Sequence, residues 1–252
     1  MLGELFDSTI PFGTPELLKA SAYRRFFLEA RESNPRAGGL DSDRAQLSES
    51  LQADLVRFEH RGVTEPVELI AACIRHSSRV TIYLQCADRV VPLTLFPREQ
   101  LAHCPIPMPE LIQHHIRDVR VLHIEPATLR PPGDEMRELI GETRLHHPLG
   151  PLLWALALRG PRRELLPEIA GPAVYRVSPA FALSALPLNG AVRAAISKLR
   201  RQATPLHGLA AWPAFDRERA ARLLNALYLQ SGLIISRSHP DAVRDSWFGG
   251  RT

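Results

Sequence analysis

The chain has 252 residues, which is enough for one large domain or two domains of ordinary size. Hydrophobic residues make up 45% of the sequence, charged residues make up 23% and the formal net charge is +4, so this is the composition of a globular protein and excludes overall disorder. Residues 1–20 lack a signal-peptide pattern, and no segment approaches the roughly 18 apolar residues of a membrane span, so we expect a cytoplasmic protein without membrane contact.

The N-terminal part of the sequence predicts three helices. The first begins at the Thr14–Pro15 pair and runs to about Glu32, the second begins at Ser42 or Asp43, and the third begins at Thr64–Pro66. The buried face of the second helix is predicted by four apolar residues at three-to-four-residue spacing, namely Leu47, Leu51, Leu55 and Phe58.

A small sheet is predicted next. Residues 79–86 and 90–97 alternate apolar and polar side chains on either side of the turn 87–89, which is typical of a β-hairpin. Pro92 cannot donate a ladder hydrogen bond, so we expect the second of these strands at an edge. Residues 119–127 alternate in the same way and predict a third strand.

Helices are predicted between and after these strands. Two of them cover residues 98–104 and 108–119, and the sequence DEMRELIGE predicts another over residues 134–142. Residues 148–160 are almost entirely apolar, which indicates a helix in central packing. The mixture of helices and strands predicts an α/β or α+β fold in which helices pack on a small sheet.

The C-terminal part follows a different order. It predicts a strand over 173–177, a helix over 190–201, a short helix over 205–212, a longer helix over 216–231 and a strand over 232–236. This order resembles winged-helix domains, in which a short helix and a recognition helix are followed by a sheet wing. The resemblance covers this C-terminal module only. It implies a mainly helical domain that contacts DNA or a protein.

Charge in this module suggests nucleic acid as one possible partner. Residues 189–252 contain ten Lys or Arg and four Asp or Glu, a net charge of +6, whereas the rest of the chain has a net charge of −2. A helical wheel with Leu223, Leu224 and Leu227 inside turns Arg219, Arg222 and Asn225 toward solvent, together with Glu218 and Leu229. Arg222 and Asn225 are side chains that contact base edges, but Glu218 and Leu229 fit a groove poorly.

A basic cluster lies on the preceding helix. Lys198, Arg200 and Arg201 can contact phosphates, or they can be a solvated helix end at which cations interact favourably with the helix dipole.

The sequence signals no catalytic or metal chemistry. His103–Cys104 and His114–His115 form the densest cluster of metal-ligating residue types, but paired zinc-ligand spacing and the helical HExxH motif are missing, so neither a metal nor a cofactor is predicted. Cys73, Cys86 and Cys104 are an odd number without CxxC spacing, which favours buried thiols in a reducing compartment. Cys104 beside His103 is the one candidate nucleophile.

The last residues are polar except for Trp247 and Phe248, an aromatic pair that can dock on a partner or on its own domain.

Four segments are predicted: an N-terminal α/β domain over 1–130, a helical connector over 131–172, a winged-helix-like domain over 173–238 and a flexible tail over 239–252. Since 29 of the 31 basic residues are arginine, the composition is typical of a GC-rich bacterial genome. We expect a non-catalytic bacterial regulatory or adaptor protein that acts through protein–protein interaction. A DNA-binding transcriptional regulator, and an enzyme or metal-binding protein that uses the His103/Cys104 region, stay open as alternatives.

Overall fold

The fold combines helices with two antiparallel sheets. A computed structural model describes residues 17–33, 46–60, 64–182 and 186–237. The mixed α+β class predicted from the sequence is confirmed, with one sheet of five strands and another of three. None of the helices in the described part of the chain has the length and apolar character that crossing a bilayer requires.

The larger sheet has the strand order β4-β1-β2-β3-β5, with every neighbouring pair antiparallel. Its strands are β1 (Val80–Cys86), β2 (Arg89–Phe96), β3 (Leu101–His103), β4 (Arg120–Pro126) and β5 (His146–Pro148). The predicted hairpin and third strand are therefore confirmed.

The predicted edge position of Pro92 is wrong for the strand as a whole, because β2 has a neighbour on each side. β3 pairs only with Thr94, Leu95 and Phe96, however, and Leu18–Lys19 pairs only with Arg89 and Val90, so among the described residues no strand lies beside Pro92 on that side. The missing N–H of Pro92 is tolerated there because the ladder on that side has not begun.

Two short strands replace predicted helices and loops. The helix expected over 98–104 is a turn followed by β3, and Gln100 in that turn has a left-handed φ of 55°. The residues just before the predicted helix over 148–160 form β5, which pairs with β3 so that His103 lies opposite His146. Strands of three residues carry too little local pattern to be recognised, because partners distant in sequence stabilise them.

The helices of the described residues follow the predictions closely at most positions. They are α1 (Ala20–Ser33), α2 (Glu49–Glu59), α3 (Pro66–Arg75), α4 (Met108–Glu110), α5 (Leu149–Arg159), α6 (Gly190–Arg201), α7 (Leu206–Ala210) and α8 (Arg217–Leu229). The residues proposed as helix starts, Thr14–Pro15 and Ser42 or Asp43, lie outside the described residues, but residues 17–19 and 46–48 are not helical, so α1 and α2 begin later than predicted, at Ala20 and Glu49.

Two predicted helices are only partly helical. The segment over 108–119 is one turn of α4 that continues as a π-helical turn over Leu111–His115. The segment over 134–142 contains only the 3₁₀ turn Arg137–Leu139, and Met136 and Leu139 are exposed there. Without an apolar face packed on a neighbour, so short a segment gains too little to complete a helix.

The smaller sheet has the strand order β7-β6-β8 and carries α6, α7 and α8. Its strands are β6 (Val174–Val177), β7 (Thr204–Pro205) and β8 (Leu233–Ser236). The sequence predicted a short helix from residue 205, but Thr204 and Pro205 pair with β6 and the helix begins at Leu206. Asp216 caps α8, since its side chain accepts a hydrogen bond from the backbone N–H of Arg219.

The apolar core is continuous between the two sheets. Buried residues of α2, α3, the five-stranded sheet, α5, α6 and α8 form one cluster, with Trp154 of α5 among its largest members. The predicted segment boundaries at 130, 172 and 238 stay a prediction. Helix α5, which the sequence assigned to a connector, belongs to this shared core, because it packs against α3 and α8.

Candidate functional site

Asn225 was predicted on the solvent face of α8, and the structure corrects this. Only 1% of Asn225 is exposed. Its Oδ1 accepts a hydrogen bond from the backbone N–H of Leu166 at 2.9 Å, and its Nδ2 donates to the carbonyl of Glu164 at 2.9 Å. The side chain therefore fastens the loop after α5 to α8, and its burial keeps it from contacting a base.

Arg222 is also held inside the fold. Its Nη1 donates to the carbonyls of Leu158 and Gly160, each at 2.9 Å, and its Nε donates to Glu218 at 2.9 Å. The guanidinium thus satisfies carbonyls at the C-terminal end of α5, where a positive charge is favourable.

The helical wheel failed because α8 is enclosed on most sides. Helices α5 and α7 pack against it, and Leu229, also expected at the surface, is 7% exposed. A wheel drawn from one helix counts its own apolar residues and contains no information about neighbours that cover its polar ones.

Of the other basic candidates, two are exposed and two make contacts within the fold. Arg219 and Arg201 are exposed. The Nζ of Lys198 lies 4.1 Å from the centre of the Trp212 ring, a cation–π contact. Arg200 donates to the carbonyl of Phe181, so it anchors the segment that precedes α6.

The burial of the His103–Cys104 pair is unsuited to nucleophilic catalysis. Cys104 is fully buried, and burial raises the pKa of its thiol to about 11. Burial, with His146 and His147 nearby, lowers the pKa of the His103 imidazole to about 4. At neutral pH both groups are therefore uncharged, which is the opposite of a thiolate–imidazolium pair.

The other cysteines are packed in the same way. Burial raises the pKa of Cys73 to about 12 and that of Cys86 to about 12. The expectation that the three thiols are buried is confirmed. Throughout the described ranges, no three His, Cys, Asp or Glu side chains are grouped so that they could hold a metal ion.

A cleft that the sequence did not indicate lies where α5, α6 and α8 meet. It has a volume of about 900 Å³. Its floor is sealed by side chains of the core, since Trp154 is 1% and Leu223 0% exposed. Trp154 is oriented by its indole N–H, which donates to the carbonyl of Pro187 at 3.4 Å.

Apolar side chains that are only partly covered form the walls of the cleft. They come from five segments of the chain, so no single helix or strand carries the surface. These residues are Ile112, Pro151, Leu158, Leu188, Val192 and Phe215. Such convergence of partly exposed apolar groups on one concavity is typical of an interaction site.

The N-terminal end of α6 and the loop before α8 have defined conformations. Asn189 caps α6, because its Oδ1 accepts a hydrogen bond from the backbone N–H of Val192 at 2.9 Å. Ala214 has a left-handed φ of 65°, and the carbonyl of this residue accepts a hydrogen bond from Arg219 at 3.0 Å. The walls are thus fixed by hydrogen bonds as well as by packing.

The charged lining of the cleft is of one sign. Arg159, Arg219 and Arg222 line it, and none of the described lining residues is Asp or Glu. Arg222 is neutralised by Glu218, whereas Arg159 is exposed and makes no hydrogen bond or ion pair with another described residue. Arg219 lies 3.9 Å from Asp216, and both side chains are about two-thirds exposed, so this pair is weak.

One sequence signal could have indicated one wall of the cleft, although not the cleft itself. Pro151, Trp154, Ala155 and Leu158 recur on α5 at helical spacing, beside a second stripe over Leu149, Leu152, Leu153 and Leu156. A helix that is apolar all round has two faces to cover. The second stripe is fully buried, but the first lines the cleft and is partly open.

Trp247 and Phe248, the predicted docking pair, lie outside the described residues. Comparisons of the chain with protein-family models, with curated proteins and with solved structures found no match.

Proposed function

We propose that this chain is a non-catalytic regulatory or adaptor protein that binds a protein partner in the cleft between α5, α6 and α8. The observation that carries the proposal is the convergence of six partly exposed apolar side chains over a sealed floor. Covering such side chains removes apolar area from water, which is a main source of affinity between proteins.

The winged-helix interpretation of residues 173–238 fits this role as a protein-binding module. The segment from α6 to β8 has the element order helix, strand, helix, helix, strand. The N-terminal half of α8 faces the cleft through Arg219, Arg222 and Leu223. The helix that would be the recognition helix in the resemblance therefore contributes to an apolar concavity.

The two alternatives have weaker support. DNA binding loses its base-contacting candidates, since Asn225 and Arg222 are engaged inside the fold. An enzyme in the His103/Cys104 region would need a reactive thiol or a metal, and the buried, protonated Cys104 supplies neither.

Affinity purification with three forms of the full chain tests the proposal. They are the wild type, Leu158→Asp in the cleft wall and Val56→Asp on α2, a matched control in which an exposed apolar residue outside the cleft gains the same charge. We expect at least one protein to copurify with the wild type and with Val56→Asp. The amount of this protein recovered with Leu158→Asp should be lower by at least about tenfold, because burying an unpaired carboxylate under the partner is costly.

Recovery of the same proteins in the same amounts with all three forms would contradict the proposal. Thermal melting of each form shows whether Leu158→Asp is folded. If it is not, Val192→Asp on the opposite wall serves as the second cleft variant.

A further inference from the structure

The charged side chains at the rim of the cleft restrict which partners can bind more than its apolar floor does. Any apolar segment could cover the walls, but the lining also contains Arg159, which has no carboxylate partner among the described residues, and Arg219, which donates to the carbonyl of Ala214 and has only a long, exposed pair with Asp216. An occupant that covers the cleft removes water from these guanidinium groups. It gains affinity only if it returns hydrogen bonds or opposite charge.

The charges next to the cleft do not provide this compensation internally. The carboxylate of Glu218 is committed to Arg222 at 2.9 Å and lies 3.8 Å from Arg163. Asp216 uses its Oδ1 to cap α8 and approaches Arg219 only to 3.9 Å. The compensating negative charge must therefore come from the occupant.

We propose that the partner presents a short amphipathic segment, apolar along one side and carrying Asp or Glu beside its apolar residues. Its apolar side chains cover Leu158, Val192 and Phe215, and its carboxylates pair with Arg159 and Arg219. This inference rests on the proposed function and specifies the chemistry of the partner.

The openness of the cleft favours a segment of a protein over a small ligand. Drug-sized ligands are usually buried over roughly 70–90% of their surface. Here Arg159 and Arg219, at the rim, are exposed, and the walls remain partly accessible to solvent. An amphipathic segment fits because its polar side can stay in water while its apolar side is covered.

Selection from a displayed library of random 16-residue peptides on the immobilised full chain tests the inference. We expect the enriched peptides to combine several apolar residues with Asp or Glu and to bind more weakly at higher salt. The double variant Arg159→Glu/Arg219→Glu should reduce their affinity by about tenfold or more, since two attractive pairs become repulsive. Arg25→Glu, an exposed charge reversal on α1, should leave the affinity unchanged.

The outcomes separate this inference from the proposed function. Enriched peptides that are apolar but not acidic, and whose binding is lost with Leu158→Asp, overturn the inference and leave the function standing. If the selection enriches no peptide, both the inference and the proposed function are overturned. If laurate binds instead of peptides, and Arg159→Glu/Arg219→Glu abolishes this binding, the occupant is a small amphipathic anion. That result also overturns the inference.

Discussion

Asn225 shows how one polar side chain determines the local structure around the cleft. Its amide joins α8 to the backbone of residues 164–166 through two hydrogen bonds of 2.9 Å. A buried amide of this kind stabilises the fold only while both partners are present. The loop that leaves the C-terminal end of α5 is therefore held by a residue that the helical wheel assigned to the surface.

Asn225→Ala should lower the free energy of unfolding by about 2 kcal/mol, because it leaves the buried N–H of Leu166 without a partner and removes one of the two hydrogen bonds to the carbonyl of Glu164, which also accepts from Arg162. Urea denaturation measures the effect. Arg217→Ala, an exposed position on the same helix, is the control and should change the free energy by less than about 0.5 kcal/mol. Equal small effects for both substitutions would show that the two hydrogen bonds are not formed in solution.

His103 makes stability depend on pH in a defined direction. Burial, with His146 and His147 nearby, lowers the pKa of this imidazole in the folded protein from its ordinary 6.5 to about 4. Between these values the unfolded chain binds more protons, so stability is fully present above about pH 6.5 and falls as the pH drops toward 4.

The melting temperature should accordingly fall between pH 7 and pH 4.5, and it should fall less in His103→Gln, which cannot titrate. Burial also lowers the pKa of His147, so part of the pH dependence should remain in this variant. A pH dependence identical in the wild type and in His103→Gln would contradict the assignment to His103.

At the scale of elements, helix α5 links the core to the cleft. Its Leu149, Leu152, Leu153 and Leu156 are buried, whereas its opposite stripe lines the cleft. The helix ends at Arg159, and the backbone N–H of Gly160 donates to the carbonyl of Leu156 at 2.8 Å. The end of α5 thus sets the position of two lining residues, Leu158 and Arg159.

Gly160 has no room for a side chain. A Cβ added there would lie 2.3 Å from the carbonyl oxygen of Leu156. Gly160→Ala should therefore destabilise the protein by about 1–3 kcal/mol, because the backbone must shift. Gly190→Ala is the matched control, since nothing lies within 4 Å of its added Cβ, and should change stability by less than about 1 kcal/mol. Thermal denaturation compares the two, and a neutral Gly160→Ala would contradict this packing.

The elements that the sequence predicted well are those with a strong local pattern. Leu51, Leu55 and Phe58 are buried on one face of α2, Leu47 is buried just before that helix begins, and the alternation over 79–97 forms the hairpin β1–β2. Strands β3 and β5 were not predicted because each has three residues and exists through pairing with distant segments. Local pattern thus predicts an element when its own residues supply the stabilising contacts.

At the scale of the whole molecule, the candidate site could not be predicted for a related reason. The cleft takes residues from the π-helical turn, α5, the start of α6, the loop before α8 and α8 itself. Each contributing residue has an ordinary sequence context, and only the fold brings them together. The sequence did indicate a basic C-terminal part. In the structure some of its arginines, such as Arg222, bind carbonyls within the fold, and others, such as Arg219, are exposed at the rim of the cleft.

The central claim is that a protein partner occupies this cleft, and site-specific photo-crosslinking in the native cells tests it most directly. A photoreactive phenylalanine analogue replaces Val192 in the cleft wall or, as a control, Val56 on α2, which is 52% exposed. The account predicts that the photoreactive residue at position 192 gives a discrete crosslinked species that contains a second protein. The same residue at position 56 should not give this species. The same crosslinks at both positions, or none at position 192 in a folded chain, would contradict it.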